Sequence, residues 1–130
     1  MKLGILFMLL GTMILAPPAH GRDLVIKRTI DGYSMSTVLT RNPPVLGRND
    51  VKVEIKDASG RPVSNAVVSI NYFMPPMPGM PPMNYTVPAP LKGSEYTATM
   101  DLIMRGPWNI IVKGIVAGKL LRMTVVIDVR

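Results

Sequence analysis

The sequence contains no cysteine. Its fold therefore has no disulfide to lean on, and it offers neither a thiolate nucleophile nor a cysteine metal site. Histidine is nearly as scarce, since the single copy, His20, stands close to the amino terminus. Aromatic residues are few, with one tryptophan and two phenylalanines, and no segment after the amino terminus has the period of an amphipathic helix. A glycine-rich phosphate loop is also missing. Enzymes of the common kinds need a nucleophile with a base, two carboxylates held apart, or a metal with an open position. Seven of the eight acidic residues, Asp31, Asp50, Glu54, Asp57, Glu95, Asp101 and Asp128, fall in turns or on wet strand faces, so the chain reads as non-catalytic.

The amino terminus is built for export. Met1 and Lys2 precede an apolar stretch from Leu3 to Leu15, and Ala16-Pro17-Pro18-Ala19-His20-Gly21 follows. One positive charge, a short apolar core and small residues before a polar start make a secretory signal. The apolar run is shorter than the roughly 20 residues that a spanning helix needs, and Pro17-Pro18 end a helix there. Cleavage is expected after Gly21, from the small residues of Ala19-His20-Gly21, with a cut after Ala19 as the alternative. Residues 1–21 then form the signal peptide, and residues 22–130 form one domain working in the periplasm or at the cell surface. A cut after Gly21 discards the only histidine. A cut after Ala19 leaves His20 at the new terminus, where amine and imidazole suit Cu(II).

All 15 Lys and Arg except Lys2 lie in the domain, with 8 Asp and Glu, so its net charge is one below the chain's +7. The basic residues are scattered, mostly at alternate strand positions, and never form a run. That pattern describes a solvated face, and no nucleic-acid partner is expected.

Leu24 to Ile30 and Tyr33 to Thr40 are β-rich runs separated by Asp31-Gly32, a typical two-residue hairpin turn. After a turn-rich stretch from Arg41 to Asn49, Val51, Val53 and Ile55 alternate with Lys52, Glu54 and Lys56, as in a strand with one buried face. Further strands are read at 66–73, 84–87, 95–103, 108–116 and 120–129, with Ala117-Gly118 as a tight turn. Short strands at roughly ten-residue spacing predict an all-β fold, an immunoglobulin-like antiparallel β-sandwich of seven to eight strands. Trp108 is placed at the centre of its core.

One segment departs from this pattern. Between Met74 and Met83 prolines are too frequent for a helix or a central strand, and Met74, Met77, Met80 and Met83 recur every third residue. Polyproline II has three residues per turn, which aligns the four thioethers along one side. Thioethers are soft ligands that suit Cu(I), and by extension Ag(I). Successive methionines on a straight polyproline helix lie about 9 Å apart, so a shared ion requires a bend, and Pro78-Gly79 is a turn-forming pair. Met35, Met100, Met104 and Met123 are candidate extra ligands. Two other readings stay open: methionines that fill gaps over an open end of the sandwich, and a proline-rich segment that docks on a partner.

Several segments in order resemble the YtkA-like domain, a family related to the FixH-like group. They are Asn42-Pro43-Pro44 with a turn through Gly47, Val51 to Ile55 running into Asp57 to Val63, Ala66-Val67-Val68 leading to the Met/Pro loop, Tyr96 to Leu102, and Gly106 to Ile110. The resemblance covers residues 24–129. It implies an extracytoplasmic immunoglobulin-like sandwich without enzymatic activity, found alone or attached to heavy-metal efflux and copper-handling proteins. It also implies a Met/Pro-rich loop where Met74 to Met83 stand. Copper-binding relatives add histidine to their methionines, and this chain lacks that addition. The expected function is an exported accessory that holds Cu(I) for a copper efflux system or an oxidase assembly protein, close to the membrane through that partner. A non-metal interaction module, using the Pro-rich loop or an edge strand, is the alternative.

Overall fold

A computed structural model of the chain describes residues 23–130; the signal peptide read from the sequence lies outside the described residues. Nine strands follow one another: β1 (Leu24–Ile30), β2 (Tyr33–Leu39), β3 (Gly47–Lys56), β4 (Val67–Phe73), β5 (Asn84–Pro88), β6 (Leu91–Lys92), β7 (Glu95–Leu102), β8 (Gly106–Val116) and β9 (Lys119–Val129). They form two antiparallel sheets, in the orders β1-β2-β3-β7-β6 and β5-β4-β8-β9. The β-sandwich expected from the alternation is the fold observed. The ninth strand is the two-residue β6, too short to leave a period in the sequence.

Alternation sets the core. Met35, Val51, Val53, Ile55, Ile70, Met100, Trp108 and Ile110 are inside, and their neighbours along each strand face outward. Two turns close on left-handed pairs that match strand twist, Asp31-Gly32 (φ 50° and 81°) and Ala117-Gly118 (φ 49° and 77°). Gly114 on β8 meets side chains of the opposite sheet at close range. A Cβ there would stand 3.1 Å from Ile55 Cδ1 and 3.2 Å from Met35 Cε.

Two strand starts differ from the sequence reading by more than one residue. β3 begins at Gly47, four residues before Val51, because buried Asn49 acts as a clamp for the preceding loop. Its Oδ1 accepts from Val45 N–H (3.0 Å), and its Nδ2 donates to the carbonyls of Val45 (2.7 Å) and Gly47 (3.0 Å). β8 begins at Gly106 and includes Pro107. β4 ends opposite Asn109, so Pro107 has no strand on that side to receive an N–H, and the missing donor costs nothing.

The loop between β3 and β4 is held by two residues. Tyr96 Oη donates to Val63 O (2.7 Å) and accepts from Ala66 N–H (3.0 Å). At the other end Asp57 Oδ1 accepts from Ser59 Oγ (2.6 Å) and from the amides of Ser59 and Arg61 (3.0 Å each). These bonds, led by the Ser59 hydroxyl, lower the Asp57 pKa below the ordinary carboxylate value. A lowered folded-state pKa gives stability at neutral pH that is lost as pH falls through that pKa. The gap in thermal midpoint between wild type and D57N should therefore be widest near neutral pH and close on acidification. A gap independent of pH would contradict this.

Candidate thioether site

The methionine segment is an extension of the β4–β5 hairpin. Phe73 pairs with Asn84 and Tyr72 with Tyr85, and continuing that register sets Met74 opposite Met83 and Met77 opposite Met80. Two backbone bonds fix it: Met74 N–H donates to Met83 O (3.0 Å), and Met80 N–H donates to Met77 O (3.1 Å). Gly79 has φ 78°, so Pro78-Gly79 forms a turn with proline second and a left-handed glycine third, the type II pattern. The reversal expected at this dipeptide is present. Between the two bonds Pro75, Pro76, Pro81 and Pro82 have no N–H to give, so the arms run side by side without a ladder.

The hairpin divides the four methionines into two pairs. Met74 and Met83 are buried, at 4% and 8% exposure, while Met77 and Met80 are 40% and 39% exposed. The cause is position along the hairpin. Met74 and Met83 stand at its base against the sandwich, whereas every residue from Pro75 to Pro82 is exposed, so Met77 and Met80 project past the core. Met74 joins the inward row of Ile70 and Tyr72, and its methyl carbon lies 3.4 Å from where a Cβ on Gly106 would be. Met77 and Met80 bracket the turn, with Cα atoms under about 7 Å apart as such a turn requires.

Aromatic packing supports this hairpin from below. The Tyr72 ring lies 5.4 Å from that of Tyr85 and 6.0 Å from that of Trp108. Trp108 Nε1 donates to Met104 O (2.8 Å). This ties the β7–β8 loop to the same end of the sandwich as the methionine tip.

The other candidate methionines separate by position. Met104 is half-buried in that loop, two residues from Gly106, and Met100 is fully buried opposite Asn49, at the same end. Met35 is in the core beside Gly114, and the Met123 sulfur accepts a hydrogen bond from buried Thr37 Oγ1 (3.1 Å). Both are away from the tip and already engaged in packing.

Charge is absent from the whole hairpin. No Asp, Glu, Lys, Arg or His stands between Arg61 and Lys92, a signal available in the sequence but not used in the reading above. Among the described residues no group of three or more His, Cys, Asp or Glu is placed to hold a metal ion. The tip offers thioether sulfur and backbone carbonyls only. Hard divalent cations prefer carboxylates, which the tip does not carry.

No helix among the described residues is long and apolar enough to cross a membrane. No curated protein and no solved structure matches the chain. The YtkA-like family model matches residues 27–113, from β1 into β8 and across the entire methionine hairpin. The chain belongs to the YtkA-like family.

Proposed function

We propose that this protein is an exported, non-catalytic accessory that carries Cu(I), or Ag(I) in its place, on the thioethers of the β4–β5 tip. The metal is cargo, destined for a copper efflux system or an oxidase under assembly. The observation that carries this reading is the opposed, exposed pair Met77 and Met80 across a type II turn, on a hairpin without a single charged side chain. Two thioethers flanking one turn suit a soft monovalent ion of low coordination number, and they need no deprotonation before binding. Met74 and Met83 lie beneath as a second pair, buried and able to reach an ion only by turning outward. Exposure at the tip suits transfer, because an acceptor's methionines can join the ion before Met77 and Met80 leave it.

Titrating the mature protein with Cu(I) against a chromogenic chelator tests this. In M77L/M80L the affinity should fall by about a hundredfold or more, roughly 3 kcal/mol. M74L/M83L should stay within a few-fold of wild type, since leucine replaces methionine in a core at little cost. Wild-type affinity in M77L/M80L would sink the reading.

A second reading rests on the exposure of Pro75, Pro76, Pro81 and Pro82, which gives the tip a stiff, preformed shape for docking on a partner. On that reading the methionine-to-leucine variants keep partner binding, and replacement of these prolines by serine abolishes it.

A further inference from the structure

Each sheet has two edges, and three of the four are blunted. β5 is short, follows Pro81-Pro82 and ends on Pro88; β6 has two residues; β1 carries adjacent exposed Lys27 and Arg28. Prolines, brevity and adjacent charges are the usual protections of a sheet edge. β9 is longer than the other three, and its exposed charges, Lys119, Arg122 and Asp128, are separated and of both signs. It spans 11 residues without proline and lies at the end of its sheet.

The register with β8 tells which backbone groups of β9 are free. Val116 pairs with Lys119 across the two-residue turn, and such a turn makes its flanking residues a hydrogen-bonded pair. Counting outward, Leu121, Met123, Val125, Ile127 and Val129 bond to β8. Leu120, Arg122, Thr124, Val126 and Asp128 point their N–H and C=O groups away from it. These five also face outward with their side chains, and Leu120 and Val126 are 55% and 67% exposed. Beside the carboxyl-terminal half of the strand runs an open groove bordered by Leu24, Pro43, Pro44 and Val126, which leaves room beside β9 although β1 stands near it at that corner.

We propose that β9 is a self-association edge, where two copies pair their β9 strands antiparallel about a two-fold axis at Val125 and join their four-stranded sheets into one. A symmetric contact must be complementary to itself, and this register is. It sets Arg122 opposite Asp128 of the second copy, and the symmetric pair repeats the match. Thr124 then faces Val126, and Leu120 faces Arg130. A one-residue slip would set free groups against groups already bonded to β8. Of the two neighbouring registers that avoid this, one sets Arg122 against Arg130 and the other sets it against Val126. Asp128 is free to exchange partners, because its ion pair with Arg130 (3.5 Å) is highly exposed and weak. Since Val129 pairs with Gly106 at the methionine end, the antiparallel arrangement sends the two tips to opposite ends of the dimer. The proposal stands apart from metal binding.

Sedimentation of the mature protein over a micromolar to millimolar series tests the proposal. Wild type should reach twice the monomer mass. R122D and D128R should each raise the dissociation constant by roughly tenfold or more, and the double exchange R122D/D128R should restore it. T124P, which removes an amide that β8 does not use, should be monomeric with an unchanged circular dichroism spectrum. A wild type that stays monomeric throughout, or a dimer indifferent to all of these substitutions, would overturn it.

Discussion

Replacing Trp108 by alanine should cost about 3–5 kcal/mol of unfolding free energy, much of the roughly 5–15 kcal/mol that holds a domain of this size together. Trp108 has no solvent exposure, contacts the Tyr72 ring, and donates from Nε1 to Met104 O. Its removal leaves a cavity where β8 meets the base of the methionine hairpin. It also leaves the Met104 carbonyl without its donor, and nothing else in the small core has the volume to fill the space. Urea unfolding followed by circular dichroism measures the loss. W108F separates the two contributions, since it keeps most of the apolar volume and gives up the N–H. Its cost should be about 1–3 kcal/mol, the range for a buried acceptor left unpaired. If W108A unfolds within 1 kcal/mol of wild type, Trp108 is not the centre of this core.

Asn49 should be the next most damaging residue to lose. It is 3% exposed and satisfies three backbone groups of the β2–β3 loop by itself. In N49A the Val45 amide and the Val45 and Gly47 carbonyls lose their partner, and the methyl group cannot fill the amide's space. Each buried group left unpaired costs about 1–3 kcal/mol, but the loop can open and let water reach some of them, so a total of about 2–4 kcal/mol is expected. N49D should cost at least as much at neutral pH, because a carboxylate accepts from Val45 N–H but has no donor for the two carbonyls and sets a buried charge against them. Hydrogen exchange at Val45 should be faster in N49A, where its acceptor is gone. Unchanged protection there would contradict the clamp.

These two residues mark what the sequence conveyed and what it did not. Trp108 was legible because, after Gly106-Pro107, it begins an apolar run in which Trp108, Ile110 and Val112 share one face, and a tryptophan on such a face has the core to occupy. Asn49 was not, because a polar residue after Asn42-Pro43-Pro44 and Gly47 reads as one more turn residue. Only the pairing of Gly47 with Leu102 and of Asn49 with Met100 reveals that the strand has already begun. The methionine loop was legible in part. Pro78-Gly79 announced the reversal, and with it the return of Met80 to Met77 and of Met83 to Met74. The burial of Met74 and Met83 was hidden, because the Met/Pro repeat does not show where the hairpin leaves the sandwich. Continuing the register of Tyr72 with Tyr85 past Phe73 places these two opposite each other at its base.

The same register explains why the tip combines order with exposure. Prolines on both arms remove the donors of a ladder, while the turn bond at Met77 and the bond at Met74 hold the two ends. Rigidity then comes from proline and from the aromatic base of Tyr72, Tyr85 and Trp108, and the two outer sulfurs stay in solvent.

The most direct measurement is an Ag(I) titration of mature protein labelled with carbon-13 in its methionine methyl groups, followed by NMR. The Met77 and Met80 methyl signals should shift together and saturate at one ion per monomer. Met35, Met100 and Met123, in the core, should stay in place. Saturation that moves other methyl signals while Met77 and Met80 remain fixed, or a titration that moves none, would contradict the assignment of the tip as a soft-metal site.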